Sequence, residues 1–399
     1  MKYDFDTFVS RRGTDCVKWD VLADNDILPL WVADMDFRSA PAILETLRRR
    51  VEHGFFGYAL PPAAWHECLA RWLARRHGWK IAATSVLDSV SVIPAISAVV
   101  RTFCEPGEKV IIQTPVYNAF FPTIRNQGCE ILENPLRCVP AHPGTKGDFT
   151  YEMDFDDLER KASDPAAKLF LLSNPHNPAG RAWSEEELRT VGEICLSHGV
   201  FLASDEIHAD LQLPGSRHVP LASISDAFRD TSVTFWSASK AFNLAGLQTA
   251  AIICADPAIR SRIHHTQVMH GTEHLNPFGF LAARTAWEEC EDWLDELCPY
   301  LRDNYDAFLE FVHRRIPSLR VATLEATYLA WVDASAWGIP SEELARRLEE
   351  EAKVKFSPGA IYGEPKDTSF LRVNLATPRS LLLAALERVE RFAAAEKRQ

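Results

Sequence analysis

Short apolar runs alternate with helix signals through the middle of the chain, and each run ends at polar or turn residues. The runs cover residues 110–113, 168–172, 200–203 and 233–236. Runs this short that are apolar on both faces are typical of parallel strands with helices packed on each side. Between the second and third runs, Ser184 and Glu187 form a capping box, and Gly199 ends the helix. The sequence therefore predicts an α/β domain built from βαβ units.

The rest of the chain predicts a second, smaller α/β domain. Residues 248–254 are a further buried strand, and Asn276-Pro277 predicts the cap and first turn of a long helix. The later elements are a strand at 328–332, a helix capped by Ser341, a strand at 371–375 and a terminal helix from about Pro378. We therefore expect an N-terminal segment at 1–45 that packs with the small domain, a large domain at 46–275 and a small domain at 276–399.

Composition and charge restrict the classes of partner. The chain has 399 residues, of which 47% are hydrophobic, and its net charge is −12. A balance this acidic disfavours nucleic acid or an anionic membrane surface as the main partner. No apolar run approaches the length of a membrane span, and the first residues lack the apolar core of a signal peptide. The nine cysteines form no CxxC pair, which is typical of reduced thiols. We expect a cytoplasmic protein.

Polar groups follow four of the predicted strands, at the edge of a parallel sheet where ligands bind. Lys240 follows one strand behind two serines, so its amine could form a Schiff base with a carbonyl cofactor while the hydroxyls hold a phosphate. Asp205 could pair with a protonated pyridine nitrogen. Asn177 could donate its amide to a phenolate oxygen, and Tyr117 could stack on a heteroaromatic ring. Each residue alone also fits an ordinary structural role, so only the set of four indicates a cofactor site.

Three blocks resemble the signature blocks of fold-type I pyridoxal-phosphate enzymes. They are Asn-Pro-His-Asn-Pro-Ala-Gly at 174–180, Ser-Asp-Glu-Ile-His-Ala-Asp at 204–210 and Ser-Ala-Ser-Lys-Ala-Phe-Asn-Leu-Ala-Gly-Leu at 237–247. Four further blocks, at 11–20, 29–37, 56–58 and 371–379, narrow the resemblance to the MalY/PatB family of cystathionine β-lyases and C–S lyases. The resemblance covers almost the whole chain. It implies a large domain with a mostly parallel seven-stranded sheet covered by helices, and a smaller α/β C-terminal domain.

The resemblance assigns a role to each residue at the ring of the cofactor, pyridoxal 5′-phosphate. Lys240 would bind it covalently and later move the proton of the substrate Cα. Asp205 would pair with the pyridine nitrogen, while Asn177 and His208 would face the phenolic oxygen. Tyr117 would stack on the ring. Related aminotransferases usually have tyrosine where His208 stands, and this difference favours the lyase branch.

The resemblance also assigns the phosphate contacts. Ser237 and Ser239 would bind the phosphate together with backbone N–H groups at a helix start near Ile93 and Pro94. Related enzymes often have glycine at that helix start, and the sequence Ser91-Val-Ile-Pro94 has none. Tyr58 would reach the phosphate of a neighbouring subunit, which implies a homodimer with shared sites.

The substrate contacts implied by the resemblance centre on Arg372, which would hold the α-carboxylate with a bidentate guanidinium. Asn177 and Tyr58 would complete this contact. Once the Cα proton is removed, a thiolate at Cβ can leave, and hydrolysis then yields pyruvate and ammonia. Without a leaving group, the same residues support transamination. The expected activity is therefore a C–S β-lyase acting on cystathionine or a related cysteine S-conjugate, with an aminotransferase of the same fold as the alternative.

Other interpretations have weaker support in the sequence. Ser237-Ala-Ser-Lys240 matches the S-x-x-K motif of serine acyl enzymes, but the accompanying S-D-N and K-T-G motifs are absent. A loose histidine cluster lacks a recognisable ligand pattern, so no metal is expected; its members are His264, His265, His270 and His274. Some members of the resembled family also bind a transcriptional regulator, so a regulatory protein partner, beside or instead of catalysis, stays open.

Overall fold

The computed structural model describes residues 2–365 and 368–396. The strands, in chain order, are β1 (Leu28–Pro29), β2 (Val86–Ser89), β3 (Lys109–Ile112), β4 (Glu130–Glu133), β5 (Arg137–Pro140), β6 (Phe149–Glu152), β7 (Ala167–Ser173), β8 (Phe201–Asp205), β9 (Ser232–Trp236), β10 (Ala250–Ile253), β11 (Arg320–Val321), β12 (Leu329–Asp333), β13 (Val354–Lys355), β14 (Ser357–Pro358) and β15 (Phe370–Asn374). The helices are α1 (Val17–Asp20), α2 (Pro41–His53), α3 (Ala63–His77), α4 (Val92–Phe103), α5 (Phe120–Arg125), α6 (Phe155–Ala162), α7 (Glu185–Ser197), α8 (Asp226–Asp230), α9 (Pro257–His270), α10 (Pro277–Glu289), α11 (Glu291–Arg315), α12 (Ser341–Glu351) and α13 (Arg379–Glu396).

A seven-stranded sheet forms the centre of the molecule, in the order β2-β10-β9-β8-β7-β3-β4. The strands from β9 to β4 are parallel to their neighbours, whereas β10 runs antiparallel to both β9 and β2. This architecture confirms the prediction of a mostly parallel sheet covered by helices. The predicted strand at 248–254 exists as β10, but its antiparallel direction was not expected. Direction depends on which strand it pairs with, and an apolar run carries no information about that pairing.

Helices cover both faces of this sheet, as its apolar strands require. On one face α4 and α9 bury Val99 and Ile263 against the strands, and on the other α7 and α8 bury Leu188 and Phe228. The approach of α7 to α8 is close enough to need glycine, because a Cβ at Gly192 would lie 2.3 Å from the ring of Phe228. The predicted capping box at the start of α7 is present, with both of its reciprocal hydrogen bonds.

The C-terminal part of the chain contains a four-stranded antiparallel sheet in the order β11-β12-β15-β14, with α11, α12 and α13 in the same part of the chain. Asn276 caps α10 as predicted, because its Oδ1 accepts from the N–H of Gly279 at 2.8 Å. The predicted long helix is two helices separated at Cys290. The prediction that Ser341 caps α12 was wrong: Pro340 is the N-cap residue, and the buried Ser341 hydroxyl instead accepts from the N–H of Ala360.

The N-terminal segment packs against the C-terminal part of the chain. Strand β1 pairs in parallel with β13, and Phe5 packs against Phe37, Trp293 and Tyr300. Helix α2 packs on α10. The division into an N-terminal segment, a large domain and a small domain stays a prediction.

Within residues 2–365 and 368–396, no group of three or more His, Cys, Asp or Glu side chains is arranged to hold a metal ion. Likewise, none of the helices there is both long enough and apolar enough to span a membrane. The four histidines of the loose cluster are exposed.

Candidate active site

A cavity lies at the carboxyl ends of β7, β8 and β9. Its lining residues are Ala33, Ser91, Val92, Ile93, Tyr117, Ser173, Asn177, Asp205, Ile207, His208, Ser237, Ser239, Lys240, Ala245, Gln248 and Thr249. Eight residues named from the sequence are therefore brought together: Ile93, Tyr117, Asn177, Asp205, His208, Ser237, Ser239 and Lys240. They come from five separate segments of the chain, which the sheet and the helices packed on it place around one cavity.

Lys240 stands in the loop after β9, and its amine is held rather than free in the cavity. Its Nζ donates to the carbonyl of Ala33 at 2.8 Å. Burial, assisted by the Arg372 guanidinium, lowers the pKa of Lys240 to about 8. A substantial fraction of this lysine is therefore neutral near pH 8, which is the state that attacks a carbonyl or accepts a proton.

Asp205 is the last residue of β8 and is 5% exposed. Its Oδ1 accepts from the N–H of Ile207 at 3.2 Å, and no salt bridge to it forms within the described part of the chain. Burial, together with the neighbouring Glu206, raises the pKa of Asp205 to about 7. A cationic ring nitrogen beside this carboxylate would favour its charged form.

His208 is 4% exposed, and its Nδ1 has no hydrogen-bond partner among the residues that the structure describes. Burial is the main cause that keeps the pKa of His208 well below its usual value, and Lys240 and Arg372 act in the same direction. The imidazole is therefore neutral at ordinary pH. A buried nitrogen without a partner is costly, so it indicates a place for a ligand atom.

Arg372 enters from β15 of the other sheet and contacts the cavity wall at Asn177. Its Nη1 donates to Asn177 Oδ1 at 3.1 Å and its Nη2 to the carbonyl of Trp31 at 3.0 Å. The guanidinium carbon lies 4.7 Å from the ring centre of Tyr362, and Nε has no hydrogen-bond partner in the described part of the chain. The amide oxygen of Asn177 is thus occupied, and its Nδ2 is the group left to donate to a ligand.

The predicted phosphate contacts Ser237, Ser239 and Ile93 all line the cavity. The Ser237 hydroxyl donates to the carbonyl of Thr249 at 2.6 Å and accepts from the N–H of Ser239 at 3.0 Å. Helix α4 begins here, and the hydroxyl of its N-cap residue Ser91 makes no capping hydrogen bond. A helix N-terminus favours an anion. Pro94 is the third residue of α4 and has no N–H, so the predicted donors narrow to Val92 and Ile93.

Tyr117 and Tyr58 occupy very different positions. Tyr117 lines the cavity, and burial raises the pKa of its hydroxyl. Tyr58 is fully exposed and does not line the cavity of its own chain. The prediction that Tyr58 acts in a neighbouring subunit therefore requires a second copy of the chain.

Sequence reasoning missed the main-chain contribution of the N-terminal segment. The carbonyls of Trp31 and Ala33 bind Arg372 and Lys240 respectively. Both residues belong to the block at 29–37, which carried the family resemblance but received no role. A carbonyl has no side-chain signature, so only the position of that block within the resemblance could have indicated it.

The residues present fit pyridoxal phosphate. A buried lysine amine can bind its aldehyde, Asp205 can hold its ring nitrogen, and an N-terminal helix end with two serines can hold its phosphate. His208 lines the same cavity, and its imidazole offers a contact for the phenolic oxygen.

Comparisons with known proteins agree with this fit. The family model for aminotransferase class I and II matches residues 25–389. Cystathionine β-lyase PatB of Bacillus subtilis is 42% identical over 391 residues, covering 97% of this chain and 99% of that protein. Protein MalY of Escherichia coli is 33% identical over 392 residues, covering 95% of this chain and 96% of that protein.

Among solved structures, cystalysin from Treponema denticola, which contains a pyridoxal 5′-phosphate cofactor, superposes with a TM-score of 0.93. It is 33% identical in sequence, and the match covers 99% of both chains. Fold, cavity and full-length similarity agree with one another. The chain has the fold-type I transferase fold and belongs to the aminotransferase class I and II family and, within it, to the MalY/PatB family.

Proposed function

We propose that this protein is a pyridoxal-phosphate-dependent C–S β-lyase. It cleaves L-cystathionine, or a related cysteine S-conjugate, to a thiol, pyruvate and ammonia. The observation that carries the proposal is the convergence of Lys240, Asp205 and His208 in one cavity of a chain 42% identical, over nearly its full length, to a cystathionine β-lyase.

The substrate is bound first through its α-carboxylate. Arg372 offers a planar guanidinium whose Nε is without a partner, and Asn177 holds its Nη1 in place. A carboxylate can replace the carbonyl of Trp31 as the acceptor of Nη2, which gives a bidentate contact. The guanidinium also rests against the Tyr362 ring, so its plane is fixed before the substrate arrives.

Lys240 carries out the proton transfer. Bound pyridoxal phosphate supplies an electron sink for the pair released at Cα. The neutral amine of Lys240 takes the Cα proton, and its low pKa makes this state available near pH 8. The thiolate at Cβ then leaves, and water converts the remaining three-carbon fragment to pyruvate and ammonia.

Asp205 and His208 set the charge around the ring. The buried carboxylate of Asp205 would hold the protonated ring nitrogen, so that both buried charges are paired. His208 is neutral, so it would face the phenolic oxygen as a hydrogen-bonding group without adding a second charge. Tyr117 lines the same cavity and would stack on the ring.

The enzyme acts as a cytoplasmic homodimer in this proposal. An exposed apolar segment supports the dimer, with Phe55, Phe56, Tyr58 and Leu60 all more than half exposed. Tyr58 from this segment reaches the phosphate and substrate of the other subunit. The nine free cysteines support a reducing compartment. No surface within the described ranges points to a regulatory protein partner, and none is proposed.

Pyruvate release from L-cystathionine tests the proposal directly. Purified protein is supplied with pyridoxal phosphate and no keto-acid acceptor, and release of many equivalents per subunit is expected. The class I and II family model supports an aminotransferase as the second candidate, because both reactions remove the same proton. Release of less than one equivalent of pyruvate, together with conversion of an added keto acid to its amino acid, would favour the aminotransferase.

A further inference from the structure

Residues 31–37, here called the strap, cross between the two sheets and are bound through their backbone from both sides. From β15, Arg372 donates to the first carbonyl of the strap at 3.0 Å. Asn374 of the same strand donates to the carbonyls of Val32 and Asp34 at 2.6 and 2.7 Å. The small-domain end of the site is thus attached to the strap.

The lysine loop is attached to the same strap by Asn243, in addition to the contact of Lys240 with the Ala33 carbonyl. Its Oδ1 accepts from the N–H of Met35 at 3.2 Å, and its Nδ2 donates to the carbonyls of Met35 and Phe37 at 3.1 and 2.9 Å. Asn243 follows Lys240 by three residues and has a left-handed backbone with φ of 56°. Asparagine tolerates that conformation better than most residues. Its side-chain amide can both accept from a backbone N–H and donate to a backbone carbonyl, as the backbone of a neighbouring strand does.

The other side of the strap is fixed by the block at 11–20. The Nζ of Lys18, a fully buried residue, donates to the carbonyl of Asp34 at 2.9 Å and to Asp36 Oδ2 at 2.7 Å. Arg11 forms a salt bridge with Asp34 at 2.8 Å. The strap is therefore a rigid piece of backbone, and Asn243 decides where it lies relative to the lysine loop.

We propose that Asn243 is a positioning residue that holds the Ala33 carbonyl against the amine of Lys240. The chemical part of this inference rests on the proposed function. When Lys240 removes the Cα proton, the C–H bond breaks and its electron pair stays with the cofactor-linked substrate. A new N–H bond forms at the same time and makes the lysine an ammonium. The Ala33 carbonyl, 2.8 Å from Nζ, then accepts from that ammonium. A hydrogen bond to a charged group is stronger than one to a neutral group, so it stabilises the step's product.

The surroundings of Lys240 make this neutral acceptor important. Arg372 on β15 repels an ammonium, and burial disfavours it further. Asp34 on the strap and Asp205 on β8 attract it, but Asp34 is paired with Arg11 and Asp205 is needed at the ring nitrogen. His208 is neutral. The Ala33 carbonyl is thus the acceptor recorded in direct contact with Nζ.

The test measures Lys240 in the cofactor-free full-length chain, so it does not depend on turnover. The rate of acetylation of Lys240 by acetic anhydride is followed against pH by peptide mass spectrometry in wild type, Asn243→Gly and Asn243→Ala. Both variants remove the amide without adding charge, and glycine also suits the left-handed backbone. We expect the midpoint pH of Lys240 acetylation to fall by about one unit in both variants, because the ammonium loses its acceptor.

Asn304→Ala is the matched control. Asn304 is buried on α11, and its amide likewise donates to two backbone carbonyls, of Leu375 and Thr377 at 2.9 Å, and accepts from Arg379. It should lower the melting temperature at least as much while leaving the Lys240 midpoint unchanged. An unchanged midpoint in the folded Asn243 variants, or an equal shift in Asn304→Ala, would overturn the proposal.

The cofactor-loaded enzyme supplies a second readout. With cysteine S-conjugate as substrate, Asn243→Gly should lower kcat about tenfold, with KM changed less than about threefold. The kinetic isotope effect of Cα deuteration should increase, because proton removal becomes slower. A rise in KM alone would contradict a role at Lys240. If wild type releases no pyruvate, the proposed function fails, but the acetylation midpoints still decide whether Asn243 positions the Lys240 contact.

Discussion

Residues 204–210 carry two kinds of buried ionisable side chain. Those on the cavity side, Asp205 and His208, have no side-chain partner recorded, and the pKa of each is displaced by burial. Those on the network side, Glu206 and Asp210, are fully engaged. Glu206 accepts from the Ser204 hydroxyl, the N–H of Leu221 and His218 at 2.8–3.0 Å, while Asp210 contacts Trp72 and His77 at 3.0 and 2.7 Å.

The two kinds of side chain have different roles: the paired groups stabilise the fold, and the groups without a partner are suited to bind a ligand. A buried charge is normally paired, because leaving it alone is costly. The network side follows this rule within the protein. The cavity side does not, and the missing partners have the complementary chemistry of a cofactor: a cation for Asp205 and an oxygen for His208. The protein therefore keeps two groups incompletely satisfied until a ligand completes them.

The largest effect on activity is expected when Lys240, the residue proposed to bind the cofactor covalently, is replaced. Lys240→Ala should lower pyruvate release by about 10⁴-fold or more, because it removes both the cofactor linkage and the base. Borohydride reduction followed by mass spectrometry should detect no cofactor bound covalently at position 240. Lys109→Ala, which breaks an ion pair with Asp164 away from the cavity, serves as the control and should stay fully active. Substantial turnover by Lys240→Ala would end the proposed mechanism.

A second pair of variants compares neighbouring carboxylates on the two sides. Asp205→Asn should lower kcat/KM by about 10³-fold, because a neutral amide cannot stabilise a protonated ring nitrogen. Glu206→Gln keeps most of its hydrogen bonds and lies on the network side, so kcat/KM should fall less than about tenfold. Steady-state kinetics with L-cystathionine at pH 8 measures both. Similar losses in the two variants would mean that the two sides are not functionally distinct.

Arg372 tests whether the substrate carboxylate binds where the two sheets meet. Arg372→Ala should raise KM by about 10²-fold, with a smaller fall in kcat, because the contact is made in both the bound substrate and the transition state. Arg372→Lys should restore only part of this, because an ammonium cannot form the bidentate contact. Substrate saturation curves measure both variants, and an unchanged KM would remove Arg372 from its role.

The sequence predicted the cavity side better than the network side, for a physical reason. Strand ends such as Leu172-Ser173 are visible as a change from apolar to polar, and parallel strands bring those ends to one edge. The family resemblance then named the side chains. The pairing of Glu206 with His218 was not predicted, because it joins a strand end to a loop 12 residues later without any periodic pattern.

The contribution of backbone groups to the site could likewise not be predicted from the sequence. The carbonyl of Ala33 is specified by the path of the strap, which depends on long-range contacts to Asn243 and Asn374. The break of the predicted helix at Cys290 and the antiparallel direction of β10 have the same origin. In each case tertiary contacts, rather than local sequence preference, decide the outcome.

Substitutions on the network side should cost more stability than substitutions on the cavity side, the opposite of the order expected for activity. In the cofactor-free chain, His218→Ala should lower the free energy of unfolding by about 3 kcal/mol, because it leaves the fully buried Glu206 carboxylate without one of its partners. His208→Ala is the matched control: it is equally buried but borders an existing cavity, and its Nδ1 has no partner. It should change stability by less than about 1 kcal/mol. Denaturant unfolding measures both, and equal losses would contradict the comparison.

The smallest expected effect is the pH dependence of the cofactor-free chain. The folded pKa of Asp205, about 7, lies above its ordinary value of 3.8, so the folded state binds a proton more readily than the unfolded state between those values. The burial penalty of the carboxylate is therefore present above pH 7 and disappears as pH falls towards 4. Asp205→Asn lacks this penalty, so it should be more stable than wild type by about 2 kcal/mol at pH 8 and equally stable below pH 4. Solvent that enters the cavity limits the size of the gain. Unfolding by urea from pH 4 to 8 measures the difference, and saturating pyridoxal phosphate should reduce or reverse it at pH 8 because the ring nitrogen supplies the missing cation. A difference that does not change with pH would show that Asp205 is already paired within the protein and belongs to the network side.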